Sequence, residues 1–316
     1  MSITIHNIVR RAKTHSAYNI LCFPHDGFFE RMLCQAFPEH HFYGIKETSQ
    51  YPWNTQALPP EANFHLLPPA NDFVPPHVDF DFILCNNHAT QWDNARRLAS
   101  EMHLPIVLME HMLMPPSLKP EEVFLWNKNN KPCVRVFTDQ RALEQWGTGK
   151  VVPYGIPDYE WMDKKDQIAI SGDFVRNEIP LLQELSKQIS IPMKFVGHSP
   201  DVSPIITSPN ELEWAIGQSR IFLNIKEAVY VPIMLLEAMA RGCTVITTAS
   251  PLLDDIVIHG KTGYIIKSLP ELKQYLNKPS LGEEAAAFVK KLFNFKSFVA
   301  AWAPIFNKAA TEVYTR

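Results

Sequence analysis

The residues of this chain whose types and spacing suit chemistry fall into two groups, one suited to holding an anion and one to handling a proton. The first group lies between Ile221 and Ile266. An apolar strand, Ile221 to Ile225, runs into a turn and then a helix with Pro232 near its first position, where a missing N–H costs nothing. Helix starts leave N–H groups pointing outward with partial positive charge, so Pro232, Ile233, Met234 and Leu235 frame a candidate phosphate site. Just inside, Glu237 interrupts an apolar run. That carboxylate either complements the helix dipole toward solvent or accepts hydrogen bonds from a bound polyol.

The second group is His88, Glu110 and His111, which stand where two short apolar strands end, Asp79 to Cys85 and Ile106 to Met109. In an open parallel sheet ligands sit beyond the carboxyl ends of the strands, so these three are candidates for meeting a ligand and for catalysis. Two other roles stay open: His88 as a helix-preceding cap, and His111 as a core histidine bonded to a backbone carbonyl.

The elements that must position these groups read as alternating strands and helices. Asn19 to Phe23 is a buried-type strand, Pro24-His25-Asp26-Gly27 a turn, and Phe28 to Ala36 a helix. One glycine in such a turn is a weak phosphate signal; Asp26 and Gly27 are candidates for a ligand-facing loop or serve a plain turn. Residues 47–77 hold seven prolines and read as largely extended or looped, with Tyr51, Trp53, Phe64 and Phe73 either packed on the domain or lining a binding surface. His41 to Ile45 reads as a second strand, a helix from Thr90 to Met102 follows the strand Asp79 to Cys85, and Val134 to Phe137 and Gln140 to Trp146 continue the alternation. A second domain opens with the strand Ile168 to Ser171 and Gly172; the strand Met193 to Val196 ends at Gly197, and Lys296 to Tyr314 is an amphipathic final helix.

A chain of 316 residues, 46% of them hydrophobic, has room for two cored domains. The net charge of −3 gives no global field for nucleic acid or an anionic membrane. Five cysteines without metal spacing point to reduced thiols in a cytoplasmic protein. No apolar run approaches membrane-spanning length, so no stable membrane insertion is expected.

The set that follows Glu237 is more specific. Leu235, Leu236, Glu237, Ala238, Met239, Ala240 and Gly242 come first, then a strand and a turn, then Asp255, Ile256, Gly260, Thr262 and Gly263. This order resembles the donor-binding part of the retaining, nucleotide-sugar-dependent glycosyltransferases of family four (group 1), which have two Rossmann-like domains facing a cleft, the GT-B fold. The resemblance implies an α/β chain with an acceptor-side domain at 1–157, a donor-binding domain at 158–295 and a helix at 296–316 crossing back to the first domain.

It also implies transfer of a sugar from a nucleoside diphosphate to an acceptor hydroxyl with retention, no cofactor beyond that co-substrate, and no metal. Arg176, with Lys226 as the alternate, would neutralise the diphosphate, Gly172 and Gly197 would line the nucleotide, and Glu237 would hold the ribose hydroxyls. The family's earlier glutamate position is Val229 here, with Glu227 upstream, and Asp173 stands where an arginine is usual. Saccharide, protein, small molecule and a hydroxymethylated DNA base remain open as acceptors. A DNA acceptor would draw on Arg10, Arg11, Lys13, Arg96 and Arg97. A sugar-nucleotide epimerase and a non-catalytic nucleotide-sugar-binding protein are the alternative readings of the same architecture.

Overall fold

Two parallel sheets organise the chain, each repeating one strand order. In the computed structural model, residues 17–25, 27–45, 53, 55, 58–67, 74–75, 77–114, 117–171, 179–197, 205–206, 208–225 and 231–312 are described. The first sheet comprises β1 (Asn19–Phe23), β2 (His41–Ile45), β3 (Phe64–Leu67), β4 (Phe82–Cys85), β5 (Ile106–Glu110), β6 (Val134–Phe137) and β7 (Lys150–Val151), in the order β3-β2-β1-β4-β5-β6-β7. The second comprises β8 (Lys165–Ser171), β9 (Met193–Val196), β10 (Ile205–Ile206), β11 (Ser219–Asn224), β12 (Thr244–Thr248) and β13 (Gly263–Ile266), in the order β10-β9-β8-β11-β12-β13. All pairings are parallel, which explains the near-continuous apolar strands: both faces are covered by crossover helices.

The helices are α1 (Phe28–Ala36), α2 (Trp92–Met102), α3 (Pro120–Asn129), α4 (Gln140–Trp146), α5 (Ile179–Gln188), α6 (Pro209–Gln218), α7 (Ile233–Ala240), α8 (Leu272–Tyr275), α9 (Gly282–Leu292) and α10 (Phe295–Thr311). The chain divides into two units. One spans Met1–Trp53, Pro60–Gly155 and Lys296–Arg316, the other Asn54–Pro59 and Ile156–Phe295. Each has its own core. In the first unit, α10 packs Trp302 and Phe306 against Phe29, Phe37, Phe42 and Phe82.

Both sheets reverse direction of winding once, between β1 and β4 and between β8 and β11, and that switch is where a doubly wound sheet leaves a crevice at its carboxyl edge. The proline-rich 47–77 stretch, expected to be largely extended or looped, contributes β3 at the sheet edge, where Phe64 pairs with Phe42 and stacks near its ring. An edge position tolerates flanking prolines because only one side of the strand is hydrogen-bonded. Tyr51 and Phe73 lie outside the described residues.

Candidate active site

The first unit's carboxyl edge carries a buried polar network that begins in the loop after β1. Gly27 is the N-cap of α1 with φ +87, a left-handed conformation suited to glycine, and a Cβ there would overlap the Trp53 indole. Its N–H donates to Glu30 Oε2 at 2.9 Å, and the His25 N–H donates to Glu30 Oε1 at 2.7 Å. Gly27 therefore has both its amide and its Cα face engaged within the fold. Asp26 lies outside the described residues.

Asn86, just past β4, joins this loop to the strand ends. Its Nδ2 donates to Phe23 O at 2.8 Å and to Glu30 Oε1 at 2.9 Å, both pure acceptors, so its Oδ1 must be the atom facing His111 Nε2 at 3.3 Å. Nε2 consequently carries the imidazole proton. The other nitrogen, Nδ1, accepts from the Tyr154 hydroxyl at 2.8 Å. The His25 ring stacks on His111 at 4.2 Å. Burial first, and His25 second, hold His111 well below its usual pKa, so it is a neutral core histidine at physiological pH. Of the roles open to it from sequence, the core one matches this geometry, with side-chain partners in place of a backbone carbonyl.

His88 and Glu110 meet. His88 Nδ1 lies 2.9 Å from the Glu110 carboxylate, and the His88 ring stands edge-on to Trp126 and Trp146 at 5.7 and 4.6 Å. Glu110 is buried, while the His88 side chain stays 16% exposed, which keeps its edge within reach of a ligand. Behind them the Arg135 guanidinium lies over the rings of Trp126 and Trp146 at 4.3 and 4.9 Å. Burial brings Arg135 down to about 10, against the pull of Glu110, so it remains a cation that balances the carboxylate. A histidine whose Nδ1 is bound to a carboxylate and whose Nε2 has no hydrogen bond among the described residues is arranged to receive a proton or a hydroxyl.

In the second unit, the start of α7 stands at the carboxyl edge beyond β11. Pro232 is the N-cap, one place before the first helical residue, and its carbonyl accepts from Leu235 N at 3.1 Å and Leu236 N at 3.3 Å. The expected four-residue anion cradle thus narrows: Pro232 has no N–H, that of Leu235 is used within the helix, and those of Ile233 and Met234 have no hydrogen bond among the described residues. Glu237 is half-buried one turn further, and the Tyr159 hydroxyl donates to its Oε1 at 3.1 Å. Gly197, with φ +122, closes β9 on the same edge. Gly172, Arg176, Lys226 and Glu227 fall in the segments that follow β8 and β11 and lie outside the described residues, as do Arg10, Arg11 and Lys13.

Glu30, Asn86, Tyr154 and Tyr159 have no place among the candidates chosen from sequence. Glu30 was within reach of inspection, since a turn residue followed at the third helical position by glutamate is a capping signature. Tyr159 has no local signal at all, because its partner is distant in the chain. The one D-x-D in the chain, Asp79-Phe80-Asp81, sits at the amino end of β4, where the Asp81 carboxylate accepts from the Asn19 N–H at 2.9 Å. That motif ties two strands together at the edge opposite the candidate site.

Two parallel α/β sheets of matching strand order, each with its polar residues at the carboxyl edge, define the class: the chain has the fold of the GT-B glycosyltransferases. Within it, residues 208–285 match the family Glycosyl transferases group 1. Among solved structures, sucrose-phosphate synthase from Thermosynechococcus elongatus is similar at 13% identity and a TM-score of 0.63, over 92% of this chain and 98% of that one. Anabaena Alr3699/HepE in complex with UDP-glucose gives 13% identity and a TM-score of 0.60 over 92% and 99%. A glycosyltransferase from Rickettsia africae ESF-5 gives 13% and 0.60 over 93% and 99%. No curated protein matches the chain by sequence.

Proposed function

We propose that this chain transfers a sugar, with retention and without a metal ion, from a nucleoside diphosphate to an acceptor hydroxyl in the cytoplasm. The observation that carries the reading is the α7 start: two N–H groups of Ile233 and Met234 without hydrogen bonds among the described residues, with Glu237 one turn on, inside the matched 208–285 segment. Negative charge builds on the leaving diphosphate as the glycosidic bond breaks, and preorganised N–H dipoles stabilise that charge more than they stabilise the intact donor. Arg176 or Lys226 supplies the countercharge, Gly172 and Gly197 leave room for the nucleotide, and Glu237 accepts from the ribose hydroxyls. Glu227 stands in for the family's first glutamate. His88, oriented by Glu110, receives the acceptor hydroxyl, and His111 holds the loops of β1 and β4 in register for it.

A nucleoside-diphosphate sugar as donor is supported by the bound UDP-glucose of Anabaena Alr3699/HepE. A saccharide is the favoured acceptor over a hydroxymethylated DNA base, because a net charge of −3 supplies no global field for a polyanion. Among the described residues no helix is long and apolar enough to cross a membrane.

The test is mass spectrometry of the protein incubated with a panel of sugar nucleotides and candidate acceptors. A sugar mass added to one acceptor is expected, with Glu237→Ala and Arg176→Ala each weakening donor use by about tenfold or more. Saturable nucleotide-sugar binding with neither transfer nor hydrolysis would instead identify a binding protein. Wild-type rates in both variants would show the donor site to be elsewhere.

A further inference from the structure

Glu237 is contacted from outside its own helix. Its carboxylate meets the Tyr159 hydroxyl, and the opposite side of that contact is an arginine with an unusual environment. Arg241 is buried, its guanidinium carbon lies 3.6 Å from the centroid of the Tyr159 ring, and its Nη2 stands 3.6 Å from Glu213 Oε2. Its Nε and Nη2 make no hydrogen bond among the described residues. A buried guanidinium that leaves donors unbonded is costly, so its contribution must come from the flat cationic face laid on the phenol ring, with Glu213 balancing its charge.

The helix explains the spacing. Arg241 follows Glu237 by one turn, and its N–H donates to the Glu237 carbonyl at 3.0 Å. Tyr159 spans that turn, with its hydroxyl on the residue above and its face on the residue below. Burial, with Glu237 as the next cause, raises the Tyr159 pKa, so the phenol keeps its proton and is the donor in the pair. A carboxylate offers about four lone-pair positions. The Tyr159 hydroxyl takes one of them at Oε1 and restricts how the carboxylate can turn.

We propose that Tyr159, held by the face of Arg241, is a positioning residue for the Glu237 carboxylate and sets how sharply the donor site separates ribonucleotides from 2′-deoxyribonucleotides. The inference rests on the donor reading given above, in which Glu237 accepts from the ribose. A half-buried glutamate free to rotate serves one hydroxyl as well as two, whereas a clamped one favours the diol whose spacing matches its two oxygens.

The experiment is calorimetric binding of UDP, GDP and ADP and of their 2′-deoxy counterparts to the full chain, its Tyr159→Phe, Arg241→Lys and Glu237→Gln variants, with thermal melts of each. The wild-type protein is expected to favour one ribonucleotide over its deoxy form by about tenfold or more. Tyr159→Phe keeps the ring on Arg241 and loses only the hydroxyl; its preference is expected to shrink to about threefold or less with the melting temperature unchanged. Arg241→Lys, which keeps the charge without the flat face, is expected to shift the preference in the same direction. Full preference in both variants, with Glu237→Gln losing it, overturns the clamp and leaves the donor reading standing. Wild-type affinity and preference in Glu237→Gln, or no nucleotide binding by the wild-type protein, overturns the donor reading itself.

Discussion

At the residue scale, the chemistry of the first unit turns on which nitrogen of each histidine carries a proton. Glu110 accepts only, so neutral His88 must donate from Nδ1 and leave Nε2 as an acceptor. A glutamine at 110 would present an amide N–H to Nδ1 as readily as its oxygen, and the tautomer would no longer be fixed. Glu110→Gln is therefore expected to lower kcat/KM for the acceptor by about tenfold with donor affinity unchanged, and His88→Ala by at least as much. Steady-state kinetics with the donor saturating checks this; unaltered acceptor kinetics in both variants would remove the pair from the reaction.

His111 makes the opposite prediction. Its folded pKa is lowered from 6.5, so on acidification the unfolded chain binds a proton that the folded one refuses. Its contribution is complete above the unfolded value and is lost as pH falls through it toward the depressed folded value. The melting temperature is expected to fall between about pH 7 and pH 5, and less steeply in His111→Gln, which no longer titrates there. Equal slopes would show that His111 takes up its proton in the fold as readily as in the unfolded chain. What the sequence withheld about both histidines was partnership: a histidine after a strand reads alike whether it faces a carboxylate or a tyrosine, and only the register of β1, β4 and β5 decides.

At the scale of elements, α7 shows how much of the candidate site is local grammar. The helix ends on Gly242, φ +77, with the Gly242 N–H on Met239 O at 2.9 Å and the Cys243 N–H on Ala238 O at 3.0 Å, the paired bonds of a Schellman close. This end was legible in the sequence because a glycine after an apolar helical run has few other uses. Less legible was what lies on it. The first residue of α9, Gly282, approaches so closely that a Cβ there would stand 2.0 Å from the Gly242 carbonyl oxygen. Gly282→Ala is expected to cost roughly 1–3 kcal/mol, read as a lowered melting temperature, and to weaken donor use through the displaced α7. A melting temperature within a degree or so of wild type would mean that the two helices part without cost.

The helix α3 escaped detection for a related reason. It has the expected signals, Pro120 at its start, Glu121 and Glu122 in its first turn and Lys128 in its last. Yet Phe124 and Leu125 are exposed while only Val123 is buried, and that blurs the apolar period on which a sequence reading depends.

At the scale of the molecule, the two-sheet plan was the most legible feature, because each buried parallel strand announces itself as an apolar run bounded by turns. The acceptor was the least legible, and charge is what bears on it. Arg96 and Arg97, two of the cations a DNA acceptor would need, line a groove of about 1000 Å³ with Lys128 and Lys131. The same groove carries Asp93, Glu101 and Glu312, and Arg97 is spent on Glu101 at 3.2 Å. It also lies at the amino ends of β5 and β6, beside Ile106 and Cys133, at the edge away from His88 and Glu110. A phosphate backbone seated there would hold its base far from the residues proposed to meet it.

With a net charge of −3, transfer to a saccharide is expected to vary by less than about twofold between roughly 50 and 200 mM salt. Neutralising six or more phosphates releases enough counterion to weaken binding by about a thousandfold or more over that range. Initial rates measured against salt therefore separate the two acceptors: a flat response keeps the saccharide, and a steep loss would return the nucleic acid.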